Sequence, residues 1–563
     1  MEQRSSSSKG VSRLSAIQND PTAQVLIIGG GINGIATFRD LALQGIKAVL
    51  VEKEDYCSGA SAASSHMVHG GVRYLENGEF RLVKESLQER NRLLASAPHY
   101  VKPLQTTMPI FTLFSGILSA PLRILRHTQG KPKERGAILI KVGLTMYDFF
   151  GRNGGRMPRH EFFGKKKSMK LFPELNKNVA FTATYFDAAM ESPERLALDA
   201  LKDALAAGPN ARSANYLAAV GMSDGQVILR DSITGKEFPI RADVVVNTSG
   251  PWTDLTNEAL GVKTHYMAGT KGSHIVLENK ALFEACDNRE IFFENSDGRI
   301  VLMYPLLGKV LLGTTDIPHD MSEPAVCTEP EVDYFFDLVK YIFPDIEVNR
   351  SQIIFRFSGV RPLPKSDDLL PGFVSRDYRI VRTSDDAGIP WLSLVGGKWT
   401  TFRALGEHLS SEVLKLLGQE RKVSTVDLAI GGGLNFPESK QMQLEWAEQN
   451  GAGLDVERTV QLLNRYGTLA TKVIAYIQEK KLDTALIHTP AYSKTEIEFL
   501  VENEFVLHLS DIVHRRTSLA FTGEVNRQML VELAGIVGKK LGWTAEEMSA
   551  EVDNIQIEKG VAA

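Results

Sequence analysis

A glycine-rich turn near the N-terminus has the spacing that holds the phosphates of a dinucleotide. Gly29, Gly31 and Gly34 occupy the glycine positions of G-x-G-x-x-G, and Ile32 and Asn33 separate the last two. The first glycine permits a tight turn, the second lets the backbone approach a pyrophosphate, and the third lets a helix pack close to a strand. The N-terminus of that helix offers free N–H groups and a positive dipole end to the phosphates.

An acidic residue follows where an adenosine site needs one. Glu52 ends the predicted second strand, 18 residues after Gly34, and its carboxylate can accept hydrogen bonds from ribose hydroxyls. The glycine pattern alone does not separate FAD from NAD. A second glycine run, Gly431 to Gly433, precedes Leu-Asn-Phe-Pro rather than a helix and is predicted to be a linker turn. With one dinucleotide motif, the bound molecule is expected to be the working redox group, which favours FAD.

The string SAASSHMVHGGVRYLE, residues 61–76, combines small residues with groups that transfer protons or bind anions. The small residues suit a chain that passes close to a flavin, and His66, His69, Arg73 and Tyr74 supply the polar groups. Two histidines three positions apart could suggest a metal, but the string supplies no carboxylate or thiol at a matching offset. We therefore expect no metal here and favour an active-site role over a purely structural one.

Composition excludes several functional classes. The 64 Lys and Arg against 68 Asp and Glu give a net charge of −4, which argues against a nucleic-acid partner that needs a basic surface. Hydrophobic residues make up 43% of the chain, a globular value. The three cysteines, Cys57, Cys286 and Cys327, are far apart and odd in number, so neither a disulfide framework nor a four-thiolate metal site is expected. A reducing, cytoplasmic setting fits this cysteine usage best.

The elements that must position these residues follow from hydrophobic periodicity. Residues 24–51 read as strand, glycine turn, helix and strand, and residues 80–97 read as an amphipathic helix. Residues 211–250 alternate like strands around a hairpin, whereas residues 440–550 read almost entirely as amphipathic helices. The serine-rich residues 1–23 are predicted to be a disordered tail.

One segment invites a membrane interpretation. Residues 103–122 carry no charge, but prolines and polar residues interrupt them, so a spanning helix is not expected. Apolar residues resume at 137–140 and 142–146. Apolar residues beside clustered cations suit a protein that rests on anionic lipid, although a core segment followed by a solvated loop fits the same pattern. The intervening cations are Arg123, Arg126, His127, Lys131, Lys133 and Arg135.

Further motifs follow in one order along the chain. Together with the glycine turn and residues 61–76, they resemble the FAD-dependent glycerol-3-phosphate dehydrogenases of the respiratory type over about residues 24–403. The helical tail, with His514-Arg515-Arg516-Thr517, is also similar to that family. The motifs are Asn247-Thr248-Ser249-Gly250-Pro251-Trp252, Lys271-Gly272-Ser273-His274, Gly313-Thr314-Thr315-Asp316, Ser358-Gly359-Val360-Arg361-Pro362-Leu363 and Gly396-Gly397-Lys398-Trp399-Thr400-Thr401.

The resemblance implies an α/β fold: a Rossmann-like FAD-binding domain and a mixed-sheet, D-amino-acid-oxidase-like substrate domain, interleaved over residues 24–424, with an all-α C-terminal domain over residues 425–563. It implies oxidation of the C2 alcohol of sn-glycerol 3-phosphate to dihydroxyacetone phosphate, with hydride transfer to flavin N5. Electrons then pass to a membrane quinone or, in an oxidase branch, to oxygen. Erythritol 4-phosphate is a competing substrate, and an inactive flavin-binding protein is the non-enzymatic alternative.

The resemblance also implies roles for particular residues. A phosphate dianion needs several cations, preferably arginine forks, and Arg73, Tyr74, Arg361, Arg376 and Lys398 match substrate-site positions. His69 and His274 are the candidate bases, and Arg361 is suited to stabilise developing negative charge. We expect peripheral attachment to the inner face of the cell membrane, on anionic lipid, and a homodimer is compatible with the family. The expected FAD contacts are Gly29, Gly31, Ile32, Asn33, Gly34, Glu52, Lys53, Ser61, Ser64, Ser65, His69, Gly70, Gly71, Ser249, Gly250, Trp252, Gly397, Lys398, Thr400 and Thr401.

Overall fold

The computed structural model describes residues 9–72, 79–113, 137–151, 157–295, 300–365, 377–384 and 388–555, without the side chains of residues 9–12 and 300. Its strands are β1 Thr22–Ile28, β2 Ala48–Val51, β3 Met67–Val68, β4 Val101–Ile110, β5 Glu161–Gly164, β6 Phe181–Met190, β7 Ala211–Ala214, β8 Leu217–Ser223, β9 Gln226–Asp231, β10 Glu237–Asn247, β11 Met267–Leu277, β12 Glu290–Glu294, β13 Ile300–Leu306, β14 Lys309–Gly313, β15 Ile317–Pro318, β16 Ile353–Pro364, β17 Arg379–Ser384 and β18 Pro390–Val395.

Helices occur both among the strands, up to residue 416, and in the C-terminal part of the chain, from residue 440 to residue 553. Short 3-10 and π turns, among them Gly431–Gly433 and Ile512–Arg516, connect some of them. The α-helices are α1 Lys9–Asn19, α2 Ile32–Leu43, α3 Phe80–Ser96, α4 Ala137–Gly151, α5 Lys165–Leu171, α6 Pro193–Ala206, α7 Thr253–Ala259, α8 Lys280–Ala285, α9 Glu329–Ile342, α10 Phe402–Leu416, α11 Lys440–Asn450, α12 Val456–Tyr466, α13 Ala470–Lys480, α14 Lys494–Asn503, α15 Leu509–Asp511, α16 Leu519–Thr522, α17 Arg527–Leu541 and α18 Ala545–Asp553.

The first sheet has the strand order β17-β18-β10-β1-β2-β7. Its strands β18, β10, β1, β2 and β7 run parallel, and β17 returns antiparallel at the edge. Every residue of β2 is buried, as expected for a parallel strand covered on both faces. Helices α2, α6 and α10 pack on one face. The carboxyl ends of β1 and β10 therefore meet at one edge, beside the glycine turn.

The N-terminal segment differs from the disordered tail predicted for residues 1–23. Residues 9–19 form α1, and Ile17 is buried against Leu26 and Val49 of the first sheet. The guanidinium of Arg13 also lies 3.9 Å from the centre of the Phe505 ring. The serine-rich composition of the segment gave no indication of these few contacts, which hold the helix in place.

The second sheet is mixed, with the order β15-β11-β14-β13-β12-β4-β6-β3; β16 pairs with β11, and β5 with β6. Helix α9 covers one face. The opposite face carries His274 of β11, which pairs with Gly313 of β14 and with Phe357 of β16. Since side chains alternate between the faces of a strand, Arg361 of β16 lies on the same face as His274.

Helices α11 to α18 form a helical C-terminal domain with its own core. Buried ion pairs join it to the rest of the chain: Asp55 contacts Arg515 and Arg516, and Arg195 contacts Glu504 at 2.7 Å. Within the part of the chain that the structure describes, no helix is both long and apolar enough to cross a membrane.

Candidate active site

The glycine turn leaves no room for side chains between β1 and α2. Gly29 has a φ of +106°, and a Cβ on it would lie 2.7 Å from the carbonyl oxygen of Thr248. A Cβ on Gly34 would lie 2.0 Å from the carbonyl oxygen of Gly29. Both glycines are therefore required by backbone packing, and the free N-terminus of α2 faces the end of the strands, where a pyrophosphate binds.

Glu52 lies beside this turn, as the sequence predicts. Its carboxylate accepts hydrogen bonds from the backbone N–H of Gly30 at 2.7 Å and of Glu54 at 3.0 Å. Burial nevertheless raises the pKa of Glu52, because loss of hydration outweighs these bonds. Lys53 follows, and its ammonium lies 4.7 Å from the centre of the Trp252 ring. The arrangement fits an adenosine site at the end of β2.

Three separate motifs converge on the turn. The N–H of Ile32, at the start of α2, donates to Ser61 Oγ at 3.0 Å, and the indole N–H of Trp399 donates to the carbonyl of Ser61 at 3.0 Å. Gly397 has a φ of +116°, and a Cβ on it would lie 2.6 Å from Asn33 Nδ2. These close approaches form a backbone-lined cradle whose donor groups fit FAD.

On the sheet face, His274 is held by its neighbours. Its Nε2 lies 2.8 Å from Ser65 Oγ, and its ring stacks on Phe357 with centroids 4.8 Å apart. A Cβ on Gly313 would lie 2.1 Å from His274 Cδ2, so glycine is needed there. Burial, and next the nearby Arg361, hold the pKa of His274 well below its usual range. The imidazole is therefore neutral at physiological pH.

Arg361 projects from β16 beside His274, and hydrogen bonds to described residues hold its guanidinium in place. One nitrogen donates to Asp316 Oδ1 at 2.9 Å; the other donates to Thr314 Oγ1 at 2.8 Å and to the carbonyl of Thr315 at 2.9 Å. A Cβ on Gly272 would lie 2.2 Å from that second nitrogen. The guanidinium is thus a rigid cation at the edge of the site.

Hydrogen bonds at His69 and at Gly70 hold the loop around His69 in place. The carbonyl of His69 accepts a bond from Thr400 Oγ1 at 3.2 Å. The N–H of Gly70 lies 2.9 Å from the Tyr147 hydroxyl and 3.0 Å from Asp187 Oδ1. These contacts place residues 69–71 between the second sheet and the cradle.

Comparison with known proteins matches this arrangement. Residues 24–403 match the family model described as FAD dependent oxidoreductase, and residues 423–548 match the model for the C-terminal domain of alpha-glycerophosphate oxidase. A glycerol-3-phosphate dehydrogenase of Synechocystis is 32% identical, with 94% of each chain covered. The chain belongs to the FAD-dependent glycerol-3-phosphate dehydrogenase family. The D-erythritol 1-phosphate dehydrogenase of Brucella abortus is 31% identical, with 88% of this chain and 94% of that protein covered.

A solved structure shows the same fold. The glycerol-3-phosphate dehydrogenase from Bacillus halodurans, complexed with FAD, has a TM-score of 0.73 and 24% identity, with 98% of this chain and 100% of that chain covered. The predicted fold class, with mixed sheets and a helical C-terminal domain, is confirmed. FAD as the cofactor of this dehydrogenase family member is confirmed by the family model.

Not every predicted site residue of this family member can be placed. Arg73, Tyr74 and Arg376 lie outside the described residues. Lys398 is half-buried in the loop before α10, and Ser64 Oγ accepts a bond from the N–H of His66 at 3.3 Å. Ser249 meets the glycine turn, since a Cβ on Gly29 would lie 2.8 Å from Ser249 Cα. Gly250 begins the turn Gly250–Trp252, Thr401 directly precedes α10, and Gly71 follows Gly70.

Sequence reasoning missed the partners that fix the site. Asp316 and Thr314 belong to the Gly313–Asp316 motif, so the sequence indicated these two residues but not their hydrogen bonds to Arg361. Nothing in the sequence indicated Phe357 or Asp187, because each meets its partner only through strand pairing or packing across a long stretch of chain. Ser65, predicted to contact the cofactor, also bonds to His274.

Proposed function

We propose that the protein oxidises sn-glycerol 3-phosphate to dihydroxyacetone phosphate and passes the electrons to a membrane quinone. The observation that carries the proposal is the rigid Arg361, which lies on the sheet face that also presents the Ser65–His274 pair. A fixed cation and a hydrogen-bonding pair at one site are what alcohol oxidation beside a phosphate requires. When bound, FAD supplies the acceptor for the hydride that leaves C2, at its N5.

Arg361 stabilises negative charge on the C2 oxygen as the hydroxyl proton leaves. Its bonds to Asp316 and Thr314 hold the guanidinium in place, so little reorganisation is needed during the reaction. Arg73, Arg376 and Lys398 are proposed to bind the phosphate, and Tyr74 to complete that site. A planar guanidinium can donate to two phosphate oxygens at once, whereas a lysine ammonium acts as a point charge. Arginine therefore suits this phosphate site better than lysine does.

We propose His69 as the base and Ser65–His274 as the pair that orients the substrate hydroxyl. A general base works best when its pKa lies near the working pH. Burial and Arg361 make protonation of His274 unfavourable, and its Nε2 already meets Ser65. His69 is half-buried and lies in the loop that touches the cradle, so it has the better setting for proton removal.

The acceptor proposal rests on α4. Ile138, Val142 and Phe149 are 42%, 54% and 72% exposed, and their spacing places them along one stripe of the helix. The opposite stripe, with Leu144 and Tyr147, is buried. An exposed apolar stripe suits the boundary of a bilayer, so we propose peripheral attachment to anionic lipid at the cytoplasmic face, where a quinone is at hand.

The test of the reaction is anaerobic addition of glycerol 3-phosphate to purified protein. The yellow flavin colour should bleach, and a colourless protein that takes up no FAD would overturn the proposal. The acceptor is tested by comparing quinone reduction with peroxide formation in air; stoichiometric peroxide without quinone reduction would favour a glycerol-3-phosphate oxidase. The predicted homodimer stays a prediction, which sedimentation of the holoenzyme checks.

A second candidate substrate is another polyol phosphate, such as erythritol 4-phosphate. The similarity to the Brucella abortus D-erythritol 1-phosphate dehydrogenase favours it, and a phosphate site built of arginines does not distinguish the chains attached to the phosphate. The kcat/KM for each polyol phosphate, measured with one artificial dye, decides between them. A higher kcat/KM for the four-carbon polyol phosphate would mean that this compound, and not glycerol 3-phosphate, is the preferred substrate.

A further inference from the structure

A buried carboxylate lies on the face of the second sheet that α9 covers, opposite the face that presents Arg361. Glu331, in the first turn of α9, is 3% exposed. Side chains alternate between the two faces of a strand, so Lys271 and Ser273 of β11 point to the α9 side, whereas His274 points to the other. A charged cluster therefore lies behind the sheet, away from the His274 site.

Glu331 accepts hydrogen bonds at both carboxylate oxygens. Its Oε1 accepts from the hydroxyls of Ser273 and Thr315, each at 2.7 Å. Its Oε2 accepts from the ammonium of Lys271 at 2.7 Å, and from the N–H and the hydroxyl of Thr328, each at 2.9 Å. Burial by itself would raise the pKa of this carboxyl, but the hydrogen bonds outweigh it and lower the pKa to about 2. Glu331 is therefore ionised at neutral pH.

Thr315 joins this carboxylate to Arg361. It lies in the loop between β14 and β15, residues 314–316, and is 1% exposed. Its hydroxyl donates to Glu331 and accepts from the N–H of Ser273 at 2.9 Å, while its carbonyl accepts from Arg361 at 2.9 Å. The two other residues of the loop also accept hydrogen bonds from Arg361. One anchor behind the sheet thus holds the loop that holds the guanidinium.

Stability is a poor explanation of the Lys271–Glu331 pair. Replacing a buried ion pair with well-packed apolar residues is often neutral or stabilising, because taking two charges out of water offsets their attraction. An apolar pair, however, offers no directed acceptor to the hydroxyl of Thr315. What the carboxylate adds is a fixed position for that residue.

We propose that Glu331, with its charge balanced by Lys271, is a positioning residue: it fixes Thr315 and, through the Thr315 carbonyl, the guanidinium of Arg361. The inference rests on the proposed role of Arg361 in the oxidation of glycerol 3-phosphate. A cation stabilises developing charge best when it does not have to reorganise, and a displacement of about 1 Å can lower a rate about 10²-fold. Loss of the anchor therefore affects the rate of flavin reduction more than the binding of substrate.

The test removes one hydroxyl and nearly keeps the shape of the side chain. Thr315→Val should lower the limiting rate of anaerobic bleaching by glycerol 3-phosphate about 10–100-fold, with little change in the substrate concentration that gives half that rate. Thr315→Ser keeps the hydroxyl and should bleach at nearly the wild-type rate. The matched control is Thr489→Val, because Thr489 is also fully buried and its hydroxyl donates to Glu524 at 2.6 Å in the C-terminal domain. That control should bleach as the wild type does.

A double-mutant cycle with Arg361→Lys separates positioning from a general loss of structure. If Thr315 acts through Arg361, adding Thr315→Val to Arg361→Lys should lower the bleaching rate further by less than about twofold. The reason is that the guanidinium that Thr315 holds is already gone. An equal fold loss in both backgrounds would overturn the proposal, and so would a Thr315→Val protein that bleaches at the wild-type rate.

Glu331→Gln tests the carboxylate itself and should lower the bleaching rate as Thr315→Val does. A wild-type rate in Glu331→Gln would overturn the role of Glu331. Should that variant fail to fold, the Thr315 variants decide the question, since they leave the ion pair in place. If the wild type binds FAD but glycerol 3-phosphate does not bleach it, the proposed function is wrong, and this inference is wrong with it.

Discussion

Single residues decide how charge is handled at the site. Arg361 is held as a fork by Asp316, Thr314 and the Thr315 carbonyl, and lysine cannot reproduce that planar arrangement. We expect Arg361→Lys to lower kcat by about 10²–10³-fold while FAD stays bound. Steady-state kinetics and the flavin absorbance measure the two effects. Loss of FAD together with activity would instead assign Arg361 to the cofactor cradle.

The two histidines are separated by their pH profiles. A base must be deprotonated, so kcat/KM falls as the pH falls through its pKa. Because His274 is held neutral by burial and by Arg361, it should not produce an acidic limb near neutral pH. We expect His274→Gln to lower the rate without changing the shape of the pH profile, and His69→Gln to lower kcat/KM by about 10²–10⁴-fold. An acidic limb that His274→Gln removes would reverse the two roles.

Element α4 combines a buried stripe that anchors it with an exposed stripe that nothing in the described chain covers. Tyr147 on the buried side is bonded to Asp187 and Gly70, so the helix is firmly attached. Each apolar side chain moved from water into lipid contributes about 1.5–3 kcal/mol. The double variant Val142→Ser/Phe149→Ser should therefore float much less with anionic liposomes than the wild type, as flotation of the vesicles through a density gradient measures.

The control for α4 uses exposed apolar residues of the C-terminal domain. Leu482 and Ile487 are also exposed, but no apolar helix stripe surrounds them. Leu482→Ser/Ile487→Ser should float as the wild type does, and high salt should weaken binding of all proteins to anionic vesicles. Equal loss in both double variants would mean that α4 is not the lipid-facing element.

The whole molecule depends on ion pairs buried between the C-terminal domain and the rest. Asp55 contacts both Arg515 and Arg516. Asp55→Asn leaves the buried guanidinium of Arg516 without its carboxylate and leaves Arg515 paired with Asp511 alone among the described carboxylates. Breaking a buried ion pair costs about 3–5 kcal/mol. We expect a clear fall in the Tm of the holoenzyme. Asp20→Asn, which removes an exposed partner of Lys47, should change Tm little; equal shifts would contradict the interface assignment.

Acid should weaken the same interface. Burial opposes ionisation of Asp55 and Glu504, but the arginines outweigh it: Arg516 and Arg515 lower the pKa of Asp55, and Arg195 with Lys202 lowers that of Glu504 to about 2. Since the folded pKa lies below the unfolded value, both groups stabilise the fold at neutral pH. That contribution is lost as the pH falls below about 4. A Tm that stays constant from pH 5 to 3 would contradict this.

The sequence by itself determined the dinucleotide turn, Glu52, the parallel first strands and the helical C-terminal domain. These are local features: glycine spacing, an acid after a strand and a hydrophobic period each depend on neighbouring residues. The helix α1 escaped prediction because its stability comes from packing Ile17 on the sheet, not from its serine-rich composition. Helix propensity is a weak guide where burial against the rest of the fold supplies most of the stability of a helix.

Only the tertiary structure decided which residues meet. Strand register places His274 beside Phe357 and on one face with Arg361, and a shift of one residue would send every side chain of β16 to the other face. Ser65 reaches His274, and Tyr147 reaches Gly70, across 209 and 77 positions of chain. No periodicity within a segment encodes such contacts. They arise because two sheets and a surface helix pack around a common loop, and that packing fixes the site.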